Sequence, residues 1–245
     1  MLAFGLGVSL ASSLTALILV RLWAPASPHW RLAFYGTTLS AFHLLEFWPT
    51  AKYNNISHLS VKSFFPTENL AAYLMAHAFA FVECLVWRVL YWTSTFQWFG
   101  GPPIAVVLGL VLVVGGQLVR TTAIVQLHSA GSLAAVLGSG SSNDKQKPLR
   151  GRRGRGRRGR EAVLVATTTG VYGVMRHPAS FGFFWWAIGT QMVLGNIFSL
   201  LAAVVVGWSA FAGQARLEEE SLRRSLGKPY LDYKKRVGTM MPFIG

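Results

Sequence analysis

The sequence predicts an all-α, polytopic integral membrane protein of about six transmembrane helices, two of which form a C-terminal hairpin. Hydrophobic residues make up 52% of the 245 residues and charged residues only 13%, whereas soluble domains carry about 25% charged residues. The charge is also unevenly spread: of 23 Lys and Arg, nine lie in Lys145–Arg160 and seven in Arg216–Arg236. Long uncharged runs separate these clusters. Charge confined to a few loops and tails is typical of a bilayer protein.

The N-terminal region, residues 1–137, contains four predicted spans. They are Met1–Val20, Trp30–Trp48, Asn69–Trp92 and Pro103–His128, each about long enough to cross ~30 Å of hydrocarbon as a helix. Four charged residues fall in or near these spans: Glu46, Glu83, Arg88 and Arg120. A charge inside a bilayer suggests a functional role. We prefer structural pairing or snorkelling here, since each lies within reach of a span end.

A flexible basic loop is predicted for residues 138–160. Gly138–Asn143 is rich in Gly and Ser, and Arg150–Arg160 alternates Arg with Gly, so the segment cannot bury a core. RNA binding is one interpretation of an Arg-Gly run. A solvated or lipid-facing linker is preferred, because basic loops beside spans lie on the cytosolic side against anionic lipid. No nucleic-acid partner is therefore expected.

Residues 161–245 form the third predicted region, with a membrane hairpin and an amphipathic cytosolic tail. Phe181–Gly213 is uncharged over 33 residues, which as a single helix would be about 50 Å long. Gly195-Asn196 near its middle predicts a turn between two shorter helices. Gln214–Arg236 is polar and amphipathic and is interrupted at Gly227–Pro229.

The basic clusters also predict the orientation. If the 138–160 loop and the C-terminal tail are both cytosolic, four spans place the N-terminus in the cytosol and Thr93–Pro102 in the lumen. Arg21 and Arg31 flank the other luminal loop and weakly oppose this scheme, but the larger asymmetry favours it.

Polar residues at the two ends of the hairpin are the candidates for chemistry. His177 precedes Pro178, which predicts that it stands at a helix start. A hairpin returns the chain to its starting side, so Arg216 should lie at the same membrane face. Arg216 and Glu220 are four residues apart and share a helix face. Two interpretations stay open: a surface ion pair, or an arginine that binds a carboxylate beside an acid that binds a cation or a ribose hydroxyl.

A series of short motifs follows in residues 161–245: Thr169–Tyr172, Arg176–Pro178, Gly182, Gly189–Gln191, Arg216–Glu220, Gly227, Tyr230–Val237 and Pro242–Ile244. In order and spacing this series resembles the isoprenylcysteine carboxyl methyltransferases. Phe42–Phe65 looks like the family's earlier span and loop, and the other spans match only in hydropathy. The chain departs from the family at Ala179–Phe181, where a Tyr is usual, and at Ser132–Val136, where the family has an Asn-His stretch.

The resemblance implies methyl esterification of the C-terminal prenylcysteine carboxylate of CaaX-processed proteins at the endoplasmic reticulum membrane, with the active site facing the cytosol. S-adenosyl-L-methionine would be the methyl donor and S-adenosyl-L-homocysteine the product. By position, Arg216 would bind the substrate carboxylate as the catalytic residue. The cofactor-binding residues would be Leu164, Val165, Ala166, Thr167, Tyr172, His177, Pro178, Ala179, Ser180 and Glu220. No metal site is expected, because a C-terminal carboxylate with a pKa near 3.5 is already ionised at pH 7.

Three other functions are weighed against this one. An N-methyltransferase of phospholipids or small amines would share the cofactor site but would not need an arginine for a substrate carboxylate. A sterol reductase would require a nicotinamide. A membrane scaffold or channel would leave the clustered cytosolic motifs unexplained.

Overall fold

The computed structural model describes residues 1–53, 70–90, 102–138 and 168–241, and all regular secondary structure within these ranges is helical. The helices are α1 (Leu2–Trp23), α2 (Trp30–Tyr53), α3 (Leu70–Leu90), α4 (Pro102–Gly138), α5 (Val171–Val174), α6 (Pro178–Leu194), α7 (Ile197–Leu226) and α8 (Lys228–Arg236). The all-α prediction is confirmed. The predicted loop at 138–160 falls almost wholly outside these residues.

Among the described residues, four helices are long and apolar enough to cross a membrane. The qualifying stretches are Leu2–Trp23, Leu70–Trp87, Ile104–Ser129 and Ile197–Arg224. The sequence predicts two further spans, which correspond to α2 and α6. Helix α2 contains Arg31, Glu46 and Lys52, and α6 has only 17 residues. The total of six spans therefore stays a prediction.

The C-terminal hairpin turns where the sequence predicts. Gly195 adopts a left-handed conformation with φ 74°, which glycine reaches without steric cost. Its N–H donates to the carbonyl of Gln191 at 2.9 Å. Helix α7 then runs unbroken to Leu226, so the polar segment after Gly213 continues the spanning helix. Gly227, with φ 64°, separates α7 from α8.

Helices α4 and α6 pack backbone to backbone through two pairs of glycines. A Cβ atom built on Gly116 would lie 2.6 Å from the carbonyl oxygen of Gly182, and one built on Gly189 would lie 2.6 Å from that of Gly109. Only residues without a side chain permit this approach, a common device between membrane helices. The crossing fixes α6, and with it His177 at its N-terminus, against α4.

Two of the four charged residues of the predicted spans, Glu46 and Arg120, pair with each other, as the preferred interpretation of the sequence has it. The guanidinium of Arg120 donates to both carboxylate oxygens of Glu46, at 2.5 and 2.8 Å. Glu83 accepts the N–H groups of Phe198 and Ser199 at 2.9 and 2.8 Å, so a carboxylate caps the N-terminus of α7. The side chain of Arg88 lies outside the residues that the structure describes.

Candidate active site

A cavity of about 870 Å³ lies among α3, α6, α7 and α8, with two lining residues from α4 and one from α5. This volume is within the range of small-molecule sites, about 300–1,000 Å³. One end is polar and is lined by Tyr172, Arg176, His177, Gln214, Glu218 and Tyr230. The remainder is largely apolar and combines small side chains with aromatic ones, and it also includes Tyr73 and His77 of α3. The small residues are Ala72, Ala76, Ala80, Ala187, Ala202, Ala203, Gly207 and Ala210, and the aromatic ones are Phe79, Phe183, Phe184, Trp186 and Phe211.

A tight turn before α5 positions Tyr172 at the polar end. Gly170 has φ 55°, a conformation that favours glycine. The amide of Gln126 on α4 holds the turn, since its Nε2 donates to the carbonyl of Thr169 at 2.7 Å and its Oε1 accepts the N–H of Val171 at 3.3 Å. The hydroxyl of Tyr233 on α8 donates to the carbonyl of Tyr172 at 2.6 Å.

The Arg176-His177-Pro178 step joins this segment to α6. The backbone N–H of Arg176 donates to the carbonyl of Gly238 at 3.0 Å, which ties the C-terminal tail to the site. Pro178 occupies the first turn of α6, where its missing N–H has no helical acceptor in any case. The predicted helix start at His177 is therefore confirmed.

His177 lies between two carboxylates. Its Nδ1 is 3.0 Å from Oε2 of Glu218, and its Nε2 is 3.3 Å from Oε1 of Glu219. Both ring nitrogens of His177 are thus within hydrogen-bond distance of a carboxylate oxygen. Glu219 also accepts from Nζ of Lys234 at 2.6 Å and lies 3.3 Å from Nη1 of Arg176. Glu218 lines the cavity, whereas Glu219 is not part of the lining and contacts Arg176, His177 and Lys234.

Two residues at the polar end carry buried donors without a partner. Nε of Arg176 and the hydroxyl of Tyr230 make no hydrogen bond within the described ranges, and Nη1 of Arg176 has only its ion-pair contact with Glu219 at 3.3 Å. Burial raises the pKa of Tyr230 to about 12, so its phenol keeps its proton at neutral pH. A buried donor without an acceptor costs about 1–3 kcal/mol. A ligand that brings an anionic acceptor to this end would remove that cost.

The structure brings together part of the predicted site. Tyr172, His177, Ala179 and Ser180 line the cavity, and Pro178 is fully buried next to them without lining it. Leu164, Val165, Ala166 and Thr167 lie outside the described residues.

The predicted pair on α7 faces away from the cavity. Gln214, Glu218 and Leu222 recur at intervals of four and line the cavity, whereas Arg216 and Glu220 are exposed on another side of the helix. Glu220 forms its ion pair with Arg224, one turn further along. Arg216 and Glu220 therefore form no ion pair with each other, and neither residue lines the cavity.

Three residues at the polar end are absent from the sequence-based assignment of cofactor and substrate ligands: Arg176, Glu218 and Tyr230. Each lies inside a motif that the sequence analysis names. Arg176 precedes His177, Glu218 lies in the same motif as Glu220, and Tyr230 begins the Tyr230–Val237 motif, so these motifs were the available signal. Arg120 also lines the cavity, and its Nη1 donates to the carbonyl of Ala179 at 2.8 Å. Sequence reasoning treated it as a structural ion only.

The apolar part of the cavity reaches the outer surface of the bundle. Phe79 on α3 and Val206 on α7 both line it and are 52% and 63% exposed. Both helices meet the length and composition of membrane spans, so this surface would face lipid. In the part of the chain that the structure describes, the cavity thus has an edge between α3 and α7 at bilayer depth.

No group of three or more His, Cys, Asp or Glu side chains is placed to hold a metal ion within the described ranges.

Comparison with known proteins gives a consistent result. Residues 161–224 match the model of the isoprenylcysteine carboxyl methyltransferase family. The chain is 39% identical over 207 residues to the protein-S-isoprenylcysteine O-methyltransferase of Saccharomyces cerevisiae, covering 84% of this chain and 77% of the relative. It is 31% identical over 244 residues to that of Xenopus laevis, covering 99% and 71%. The solved structure of a eukaryotic intramembrane Ras methyltransferase superposes with a TM-score of 0.69 at 26% identity, covering 96% of this chain and 74% of the other.

Proposed function

This chain belongs to the isoprenylcysteine carboxyl methyltransferase family and is a membrane methyltransferase, and from that premise we propose its specific reaction. It transfers a methyl group from S-adenosyl-L-methionine to the C-terminal carboxylate of the prenylcysteine of CaaX-processed proteins. The observation that carries the proposal is the composition of the cavity. Buried donors lie at one end and a lipid-accessible apolar surface at the other, which matches a substrate that is a carboxylate attached to a hydrocarbon chain.

The residues present fit the methyl donor. Bound S-adenosyl-L-methionine would supply a methyl group activated by a sulfonium cation. The Glu218 carboxylate at the polar end provides negative charge for the cationic part of the cofactor, and it is oriented by His177 at 3.0 Å. Tyr172 and Ser180 offer further polar and aromatic surface in the same wall. Leu164 to Thr167 remain part of the proposed cofactor site, from the resemblance alone.

We assign the substrate carboxylate to Arg176 and Tyr230. The sequence placed this role on Arg216, which is exposed and turned away from the cavity. Arg176 lines the cavity, and its Nε and the Tyr230 hydroxyl have no hydrogen-bond partner within the described ranges, while Nη1 of Arg176 contacts Glu219 at 3.3 Å. An arginine fork binds a carboxylate through two parallel N–H groups, so this geometry favours an anionic ligand.

The chemistry then depends on positioning. The carboxylate is ionised at neutral pH and needs no general base. Holding it in line with the activated methyl group can supply about 7–11 kcal/mol of a barrier in well-oriented cases. The aromatic and alanine side chains around the site exclude water, which would otherwise solvate the nucleophile.

The prenyl chain would reach the site from the bilayer through the edge between α3 and α7. Burial of its carbons at about 0.8 kcal/mol per methylene favours an apolar compartment over water. The polar end lies beside the basic α8, whose last turn holds Lys234, Lys235 and Arg236. Basic segments favour the cytosolic side, so we propose an active site that faces the cytosol, at the endoplasmic reticulum membrane.

The proposal is tested with purified protein, S-adenosyl-L-methionine carrying a labelled methyl group, and three acceptors: N-acetyl-S-farnesylcysteine, its methyl ester, and phosphatidylethanolamine. Label on the free acid alone is expected. Transfer to the amine lipid instead would replace the carboxylate assignment with N-methylation. Transfer to none of them, with cofactor bound, would exclude prenylcysteine as the acceptor.

A further inference from the structure

A polar side chain lies at the end of the apolar compartment opposite the carboxylate site. Gln191 lines the cavity and is 7% exposed. It lies on α6, 14 residues after His177, which corresponds to about 21 Å along the helix. Ser199 at the start of α7 lines the same end, and its hydroxyl donates to Glu83 at 2.6 Å.

Asn196 in the hairpin turn holds the amide of Gln191 in one orientation. Nδ2 of Asn196 donates to the carbonyl of Ala80 and to Oε1 of Gln191, both at 2.9 Å. The backbone carbonyl of Ala80 can only accept a hydrogen bond, so the atom of the Asn196 amide that faces it must be the nitrogen. Oε1 of Gln191 is thereby the acceptor, and its Nε2 is left without a hydrogen bond to any described residue.

These hydrogen bonds join the structural elements that close the far end of the compartment. Asn196 is 1% exposed and Ala80 2% exposed, so α3, α6 and the hairpin turn are joined at one buried point. A hydrocarbon chain whose carboxylate lies at the polar end extends past alanine and aromatic side chains, with Tyr73 and His77 of α3 also in the lining, toward Gln191. Further carbons would cover Nε2 of Gln191, a donor that makes no hydrogen bond to any described residue. Burying such a donor under hydrocarbon is unfavourable.

We propose that Gln191, held by Asn196, is the end wall of the lipid compartment and sets the longest prenyl chain that the enzyme accepts. The inference rests on the proposed function, since it assumes a prenylcysteine substrate whose carboxylate lies at the opposite end. Gln191 is thus a specificity-determining residue that contacts the last isoprene unit and takes no part in methyl transfer.

The test measures kcat/KM for farnesyl and geranylgeranyl cysteine analogues with three variants. Gln191→Ala removes side-chain atoms from the end of the compartment and so lengthens it. The ratio of kcat/KM for the geranylgeranyl analogue to that for the farnesyl analogue is expected to rise about tenfold, the lower end of the discrimination that one methylene gives in an apolar pocket. Ala80→Val adds bulk from the facing wall and is expected to lower the ratio. Met192→Ala, next to Gln191 but outside the cavity lining, is expected to leave it unchanged.

An unchanged ratio in Gln191→Ala with farnesyl activity retained overturns the inference and leaves the proposed function standing. An equal shift in Met192→Ala also overturns it. If Gln191→Ala fails to fold, Ala80→Val decides: a lowered ratio supports the wall and an unchanged ratio refutes it. Absence of methylation of either analogue by the wild-type protein would refute the proposed function and the inference together.

Discussion

The glycine crossing between α4 and α6 gives a sharp prediction, because Gly116 has a neighbour of the same type in a different environment. A Cβ atom on Gly116 would lie 2.6 Å from the Gly182 carbonyl oxygen and 2.7 Å from the Trp186 backbone nitrogen, whereas one on Gly115 would have nothing within 4 Å. Both obstacles are backbone atoms, which cannot rotate away. Ordinary contact distances would require the helices to separate by about 0.8 Å.

The magnitude follows from a comparison of the two alanine variants. Replacing glycine by alanine inside a helix stabilises it by roughly 0.5–1 kcal/mol, and this gain is common to Gly115→Ala and Gly116→Ala. Overpacking costs about 1–3 kcal/mol and applies to Gly116 alone. The free energy of unfolding of Gly116→Ala is therefore expected to be about 1–3 kcal/mol lower than that of Gly115→Ala.

Thermal unfolding in detergent measures the difference. At about 2–4 °C per kcal/mol for a chain of this size, Gly116→Ala should melt several degrees below Gly115→Ala. Methyl transfer should fall as well, since the crossing fixes α6 and His177. Equal melting temperatures in the two variants would refute the backbone contact between α4 and α6.

Further predictions concern the polar end of the cavity. Arg176→Met should lower kcat/KM for N-acetyl-S-farnesylcysteine by about 100-fold, the effect of losing one transition-state donor. Arg216→Met should change kcat/KM less than about twofold. The reverse order of the two effects would restore the sequence-based assignment of the carboxylate to Arg216. Glu219→Gln should lower kcat/KM about tenfold, because Arg176, His177 and Lys234 lose a shared carboxylate. The exposed Glu220→Gln serves as its control, and equal losses in the two variants would refute the positioning role of Glu219. Burial raises the pKa of Tyr230 from 10 to about 12, so the folded state keeps this proton longer than the unfolded chain. Its contribution to stability is unchanged below pH 10 and is lost as the pH rises toward about 12. Melting temperatures across this interval should fall less in Tyr230→Phe than in the wild type, and identical slopes would contradict the assignment.

Local sequence signals predicted the elements of the fold well. The Gly195-Asn196 turn and the helix start at Pro178 depend on backbone conformations that only certain residue types favour. The structure places both where the sequence does. The polar segment from Gln214 continues the helix that follows the turn, because polarity alone does not end a helix. The interruption predicted at Gly227–Pro229 is confirmed, since the helix ends at Leu226 and Gly227 has a positive φ angle.

The composition of the site was harder to predict, because it depends on helix rotation. Three consecutive acids, Glu218–Glu220, give no indication of which one faces inward. Packing of α7 against α6 and α8 directs Glu218 to the cavity and Glu220 to the surface. The contribution of α3 to the apolar compartment joins residues more than 100 positions apart in the chain, such as Ala80 and Asn196. No local pattern encodes such a contact.

The central claim is that one cavity holds the carboxylate at Arg176 and the prenyl chain in the compartment that ends at Gln191. An experimental structure with S-adenosyl-L-homocysteine and N-acetyl-S-farnesylcysteine bound tests it most directly. The account predicts the carboxylate within hydrogen-bond distance of Arg176 and Tyr230, with the farnesyl group between α3, α6 and α7. A carboxylate bound at Arg216, or a farnesyl group outside this compartment, would contradict it.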